Sequence, residues 1–190
     1  MDVLVAVAIG LGLAAACGFR VFVPLFAASI AASGGSLTLA PGFEWLGTDA
    51  AMVAFGTATV LEIGAYYVPW LDHLLDTVTT PASVAAGVVA SAAVLVDLPP
   101  LVQWSVALVG GGGVAGLTQG ATVALRTKSG LFTGGLANFA VSSFELIGAT
   151  ATAILAILLP LVALAVVSVI VVVSFRVIRR LRRLGVSRAA

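Results

Sequence analysis

The chain has 190 residues, 61% of them hydrophobic and only 9% charged, with a mean hydropathy of +1.21 and a net charge of +1. Soluble domains carry about 25% charged residues, so this chain has too few polar groups to cover its own surface in water. A soluble enzyme is excluded, and an all-α, polytopic membrane helix bundle is expected, with room for roughly five to seven spans of about 20 residues each.

Residues 3–32 form a long apolar run, interrupted only around Gly18, Arg20 and Pro24. A straight helix of that length reaches about 45 Å, against a hydrocarbon core of about 30 Å. It must tilt or break, and Gly18 and Pro24 are the cheapest places. The lone Cys17 excludes an internal disulfide and a cysteine zinc site, and reads as a small packing residue. Residues 33–49 read as a loop, with Phe43 and Trp45 suited to the headgroup level.

A second span covers 50–68 and carries Glu62. Residues 69–76 read as a short amphipathic stretch at the interface. Asp72, His73 and Asp76 there are too few for a closed metal site, so no metal is expected. A third span runs 81–98 and a fourth 101–125. The glycines at 110–113, 116 and 120 lack the Lys-Ser/Thr pair of a phosphate loop. Gly112, Gly116 and Gly120 instead repeat every four residues, a flat face for close helix packing or dimerisation. Residues 126–130 read as a basic loop, 131–147 as a fifth segment and 151–175 as the last and most lipid-like span.

Six of the nine basic residues close the chain: Arg176, Arg179, Arg180, Arg182, Arg183 and Arg188. After one transmembrane domain over 1–175, residues 176–190 read as a basic cytoplasmic tail against anionic headgroups. No aromatic residues are interleaved there, which speaks against nucleic acid. With Arg126 and Lys128 also cytoplasmic, six crossings of the inner membrane with both termini cytoplasmic fit the charge pattern best. Each half would then hold three spans, with an arginine early (Arg20, Arg126) and a glutamate in the second helix (Glu62, Glu145), as in a 3+3 inverted repeat.

Arg20 lies within the first apolar run, where an arginine costs about 2.5–3.5 kcal/mol on the mildest scale. Glu62 and Glu145 are its expected partners, in a substrate or proton-coupling site or in a structural ion pair. The stretch from Thr133 to Asn138 presents a Thr-Gly-Gly turn before a polar helix, which suits an anion or headgroup and serves equally as a helix N-cap.

Three motifs, Gly18-Phe-Arg20-Val-Phe-Val-Pro24, Pro69-Trp-Leu-Asp72-His-Leu-Leu-Asp76 and Thr133-Gly-Gly-Leu-Ala-Asn138 through Ser142-Ser143-Phe-Glu145, are spread along most of the chain's length, from position 18 to position 145. On them the chain resembles an uncharacterised integral membrane family, domain of unknown function 4126, departing from its pattern at Phe139. The resemblance implies a common architecture and a shared polar core, drawing attention to Arg20, Glu62, Asp72, Asp76, Asn138 and Glu145 together. It brings no activity with it. The expected function is a transporter or permease-like protein, oligomeric, handling a small solute or a proton at Arg20, Glu62 and Glu145. The alternative is a non-transporting module that binds a lipid headgroup or a partner membrane protein. The chain offers no catalytic constellation and no cofactor motif, so neither an enzyme nor a cofactor is expected.

Overall fold

A computed structural model describes the backbone of residues 2–68, 71–133 and 138–186, with their side chains except those of 71–75, 128–133, 138 and 181–186. The long apolar run at the start breaks once. α1 (Val3–Cys17) is capped by the Asp2 carboxylate, which accepts the Leu4 N–H at 3.1 Å, and it stops at Gly18. α2 (Phe22–Ser33) follows, so the break spans only 18–21. Pro24 was a second expected break point, but it falls in the first turn of α2. There its missing N–H has no intrahelical partner to lose.

The remaining helices are α3 (Asp49–Tyr66), α4 (Leu71–Val94), α5 (Pro100–Val106), α6 (Gly113–Thr133), α7 (Asn138–Leu158) and α8 (Pro160–Val186). A 3-10 turn at Glu44–Gly47 precedes α3, and a π-helical turn at Ala107–Gly112 joins α5 to α6 in one continuous rod. Among the described residues, four stretches are long and apolar enough to cross a membrane: Asp76–Val94, Pro100–Thr127, Phe139–Leu158 and Pro160–Arg180. The chain is a multi-pass membrane helix bundle. The last of these spans is the most lipid-like, with a hydropathy of 2.8 and only 17% of it buried.

The break at 18–21 turns the chain back on itself. The Ser91 hydroxyl donates to the Gly10 carbonyl at 2.9 Å and Gly87 faces Ala14, so α1 runs antiparallel to α4 with its middle beside the last turn of α4. α2 returns to that same end. Phe26 abuts Gly56 and Ala32 abuts Gly47, so α2 runs antiparallel to α3. Just beyond α2, the Ala40 N–H donates to the Ala93 carbonyl at 2.7 Å. α1 and α2 are thus two short helices, about 22 and 18 Å at 1.5 Å per residue, forming a hairpin that enters and leaves at the same end of the bundle. Gly12 packs on Ala156 and Ala163, so α7 ends and α8 begins at this end too. α8 then runs the length of the bundle to the other end.

This corrects two expectations. The start of α1 and the end of α8 lie at opposite ends of the bundle, whereas the charge pattern alone put them at the same end. Nor do the two halves share a shape: the first opens with a hairpin, the second with the unbroken α5–α6 rod. Hydropathy alone counted residues 3–32 as one crossing, because a hairpin of two short apolar helices has the same composition as one long span.

Three boundaries also differ from the sequence reading. Residues 71–76 open α4 instead of lying at the interface, and Pro81 sits inside that helix. Arg126 is not in a loop but inside α6 and 2% exposed. The last two helices part at Leu159 and Pro160 rather than near 148–150, since proline suits the first position of a helix.

Close approach holds the bundle together. A Cβ on Gly18 would lie 2.5 Å from Thr118 Cβ, and one on Gly87 2.5 Å from Ala115 Cβ. One on Gly111 would lie 2.7 Å from the Gly87 carbonyl oxygen. Only glycine lets α1, α4 and the α5–α6 rod meet backbone to backbone. The expected flat face is partly used in this way. Gly112 and Gly116 pack on Val84 and Val88 of α4, while Gly120 turns toward Ile178 of α8.

Candidate functional site

The hairpin tip delivers Arg20 into a buried polar cluster. Its Nη2 donates to the Ser142 carbonyl at 2.9 Å and lies 3.5 Å from Glu145 Oε2, both on α7. The same Glu145 oxygen accepts from Arg126 Nη2, and Arg126 Nη1 donates to Asp76 on α4. Arg20, Arg126 and Glu145 are 2%, 2% and 3% exposed. One carboxylate therefore takes hydrogen bonds or Coulomb contact from two guanidinium groups, as buried charges require if they are to stay ionised.

Tyr66, at the end of α3, organises the two cations. The guanidinium carbons of Arg20 and Arg126 lie over its ring, 3.8 and 4.3 Å from the centroid. Its hydroxyl is 3.0 Å from Thr79 Oγ1, which also accepts from Gln119 Nε2 at 3.3 Å. The cluster thus draws on the hairpin, α3, α4, α6 and α7.

Glu62 plays a different part. Its two oxygens accept the N–H groups of Val21 and Phe22, at 2.8 and 3.1 Å. A carboxylate from α3 therefore caps the amino end of α2, meeting both its orphan donors and the positive end of its dipole. The expected pairing of Arg20 is with Glu145 by direct contact, and Glu62 holds the backbone beside it.

The cluster also has unfilled valences. Among the described residues, Arg20 Nε and Nη1, Glu145 Oε1 and Ser142 Oγ are buried and have no hydrogen-bond partner. A cationic donor left without an acceptor in a dry site costs several kcal/mol.

The family model described as "Domain of unknown function (DUF4126)" matches residues 7–180. The chain belongs to this family. No curated protein and no solved structure matches it. The stretch that matches the DUF4126 model contains every residue of the cluster, from the hairpin tip to Glu145.

Of the site residues expected from the sequence, Arg20, Glu145 and Asp76 come together, with Glu62 next to them on the α2 backbone. The side chains of Asp72, Thr133 and Asn138, and the glycine turn between the last two, lie outside the described residues. Sequence reasoning missed Arg126, Tyr66, Thr79 and Gln119 as members. Helical spacing carried the signal for two of them: Tyr66 is one turn beyond Glu62, and Arg126 is two turns beyond Gln119.

Proposed function

We propose that this DUF4126 protein is a small carrier of the cytoplasmic membrane, with the Arg20–Glu145–Arg126–Asp76 cluster as its binding centre. The observation that carries this reading is a buried arginine at the tip of two half-length helices, held against the Glu145 carboxylate of α7. Broken helices that bring charged groups and helix ends to a buried site are the recurring plan of secondary transporters, and intramembrane charges mark ion or substrate paths.

The orientation follows from charge. Beyond Arg20 and Arg126, every lysine and arginine falls at or after position 128 in the sequence, late in α6, in the second half of α8 or after it. The end of the bundle where α1 starts carries Asp2, Glu44, Asp49 and Asp97 and no lysine or arginine. The positive-inside rule places the α8 terminus in the cytoplasm and the start of α1 outside. The cluster then lies nearer the cytoplasmic face, since Arg126 is about 10 Å from the end of α6.

The alternative, a non-transporting module that presents Gly112, Gly116 and Gly120 to a partner, has less support. Those glycines face α4 and α8 of the same chain. Uptake of small solutes into proteoliposomes, with and without an imposed proton gradient, tests the carrier reading. Flux that disappears in Arg20→Gln supports it. Intact flux in that variant contradicts it.

A further inference from the structure

A groove of about 570 Å³ runs along the membrane-facing side of the bundle between α2, α3 and α7. Its walls include Phe26, Ile30, Ile63 and Ile154, and it reaches from Gly34 and Leu158 at one end to Val23 and Leu146 at the other. From Leu146 to Leu158 the wall is about 18 Å long at 1.5 Å per residue, the reach of a medium-length acyl chain lying parallel to the helices. Exposed Ile147, Val60 and Leu61 on the same helices place this side in lipid.

The groove is not uniformly apolar. Thr59 lines it, is 8% exposed, and its hydroxyl has no hydrogen-bond partner. Thr59 is one turn before Glu62, and Leu146 is one turn after Ser142. Val23 follows Phe22, whose N–H is held by Glu62. The end of the groove at Val23, Ile63 and Leu146 therefore adjoins the polar cluster, where Arg20 Nε and Nη1, Ser142 Oγ and Glu145 Oε1 also stand without partners.

We propose that the groove and the cluster form one site for a single-chain amphiphilic acid, its hydrocarbon tail between α2, α3 and α7 and its carboxyl group at Arg20 and Glu145. The proposal rests on the carrier reading's polar centre and names its ligand class. The free N–H groups of Arg20 call for acceptor oxygens. The free Glu145 oxygen calls for a proton donor beside them. A carboxylate bound with one proton from the aqueous phase supplies both: one oxygen accepts from Arg20, and the proton lies between the other oxygen and Glu145 Oε1.

Charge points the same way. The described groups that face this centre are Arg20 from the tip, Arg126 from α6, Asp76 from α4, Glu145 from α7, and Glu62 and Tyr66 from α3. Three carboxylates and two guanidiniums leave no surplus of positive charge to hold a bare anion. An acid that brings its own proton enters without adding charge.

A photoactivatable dodecanoate, reacted with the full-length protein in lipid nanodiscs, tests this. Expected are adducts on α2, α3 and α7 peptides that dodecanoate competes away and dodecanol or acetate does not. Labelling should fall about tenfold in Arg20→Gln, through loss of charge-assisted hydrogen bonds. It should fall similarly in Ala27→Phe, which fills the groove from its lipid-facing wall. Thr59→Val, close to isosteric, should weaken it less while leaving the thermal unfolding midpoint unchanged. Labelling that dodecanol competes equally well, or that persists in both Arg20→Gln and Ala27→Phe, overturns the proposal. Specific labelling without solute flux keeps this site and removes the carrier reading. Arg20-dependent flux of acetate without specific labelling does the reverse.

Discussion

The guanidinium of Arg20 lies 3.8 Å from the centre of the Tyr66 ring, joining the tip of the hairpin to the end of α3. Because Arg126 stacks on the same ring at 4.3 Å, a single aromatic side chain lets two like charges share a dry site. A desolvated cation–π contact contributes up to about 2 kcal/mol. Tyr66→Phe keeps both stacks and loses the hydroxyl contacts to Thr79 at 3.0 Å and to Asp76 at 3.5 Å, for about 1 kcal/mol. Tyr66→Leu loses the two stacks as well and should be clearly less stable than the phenylalanine variant. Thermal unfolding of the purified variants in detergent measures the difference.

Arg126 is the cation with two carboxylate partners, Asp76 and Glu145. Removing it leaves buried negative charge uncompensated, which costs about 3–5 kcal/mol. Arg126→Met should therefore unfold at a markedly lower temperature. Adding Asp76→Asn and Glu145→Gln to that variant should recover part of the loss. Equal stability of Arg126→Met and the native protein would show that the pairs are not formed.

Glu62 holds the amino end of α2 through the N–H groups of Val21 and Phe22. Glu62→Leu orphans both donors, at about 1–3 kcal/mol each. Hydrogen exchange should quicken at residues 21 and 22 first, with α1 protected as before. Glu62→Gln retains one acceptor oxygen and should show a smaller effect.

Close packing at the π-helical turn gives a paired test. A Cβ at Gly111 meets the Gly87 carbonyl oxygen at 2.7 Å, whereas one at Gly113 meets nothing within 4 Å. Gly111→Ala should destabilise the bundle by about 1–3 kcal/mol through overpacking, and Gly113→Ala should leave it unchanged or slightly more stable. Unfolding midpoints of the two variants, read side by side, decide this.

The membrane class, the break near Gly18 and the meeting of Arg20 with Glu145 are legible in the sequence, because charge inside an apolar run has few physical explanations. Arg126 was not legible. It stands with Lys128 at the end of an apolar stretch, where a snorkelling loop residue and a buried ligand of two carboxylates look alike. Asp76 is drawn to attention by the family resemblance rather than by local pattern, since it follows Asp72 and His73 in what reads as an interfacial helix. Burial of these two depends on each other, a long-range fact that local pattern does not carry. The hairpin stayed hidden for a related reason: hydropathy records how much apolar chain there is, but not its direction.

That direction is what the account depends on most, and it is directly measurable. In a Cys17→Ala background, single cysteines at Asp2, Ser36 and Arg179 would be tested in intact cells with a membrane-impermeant thiol reagent. The re-entrant hairpin predicts labelling from outside at positions 2 and 36 and protection at 179. Labelling at 36 alone, with 2 and 179 both protected until the cells are opened, would mean that residues 3–32 cross the membrane as one span, and Arg20 would not sit at the tip of a hairpin.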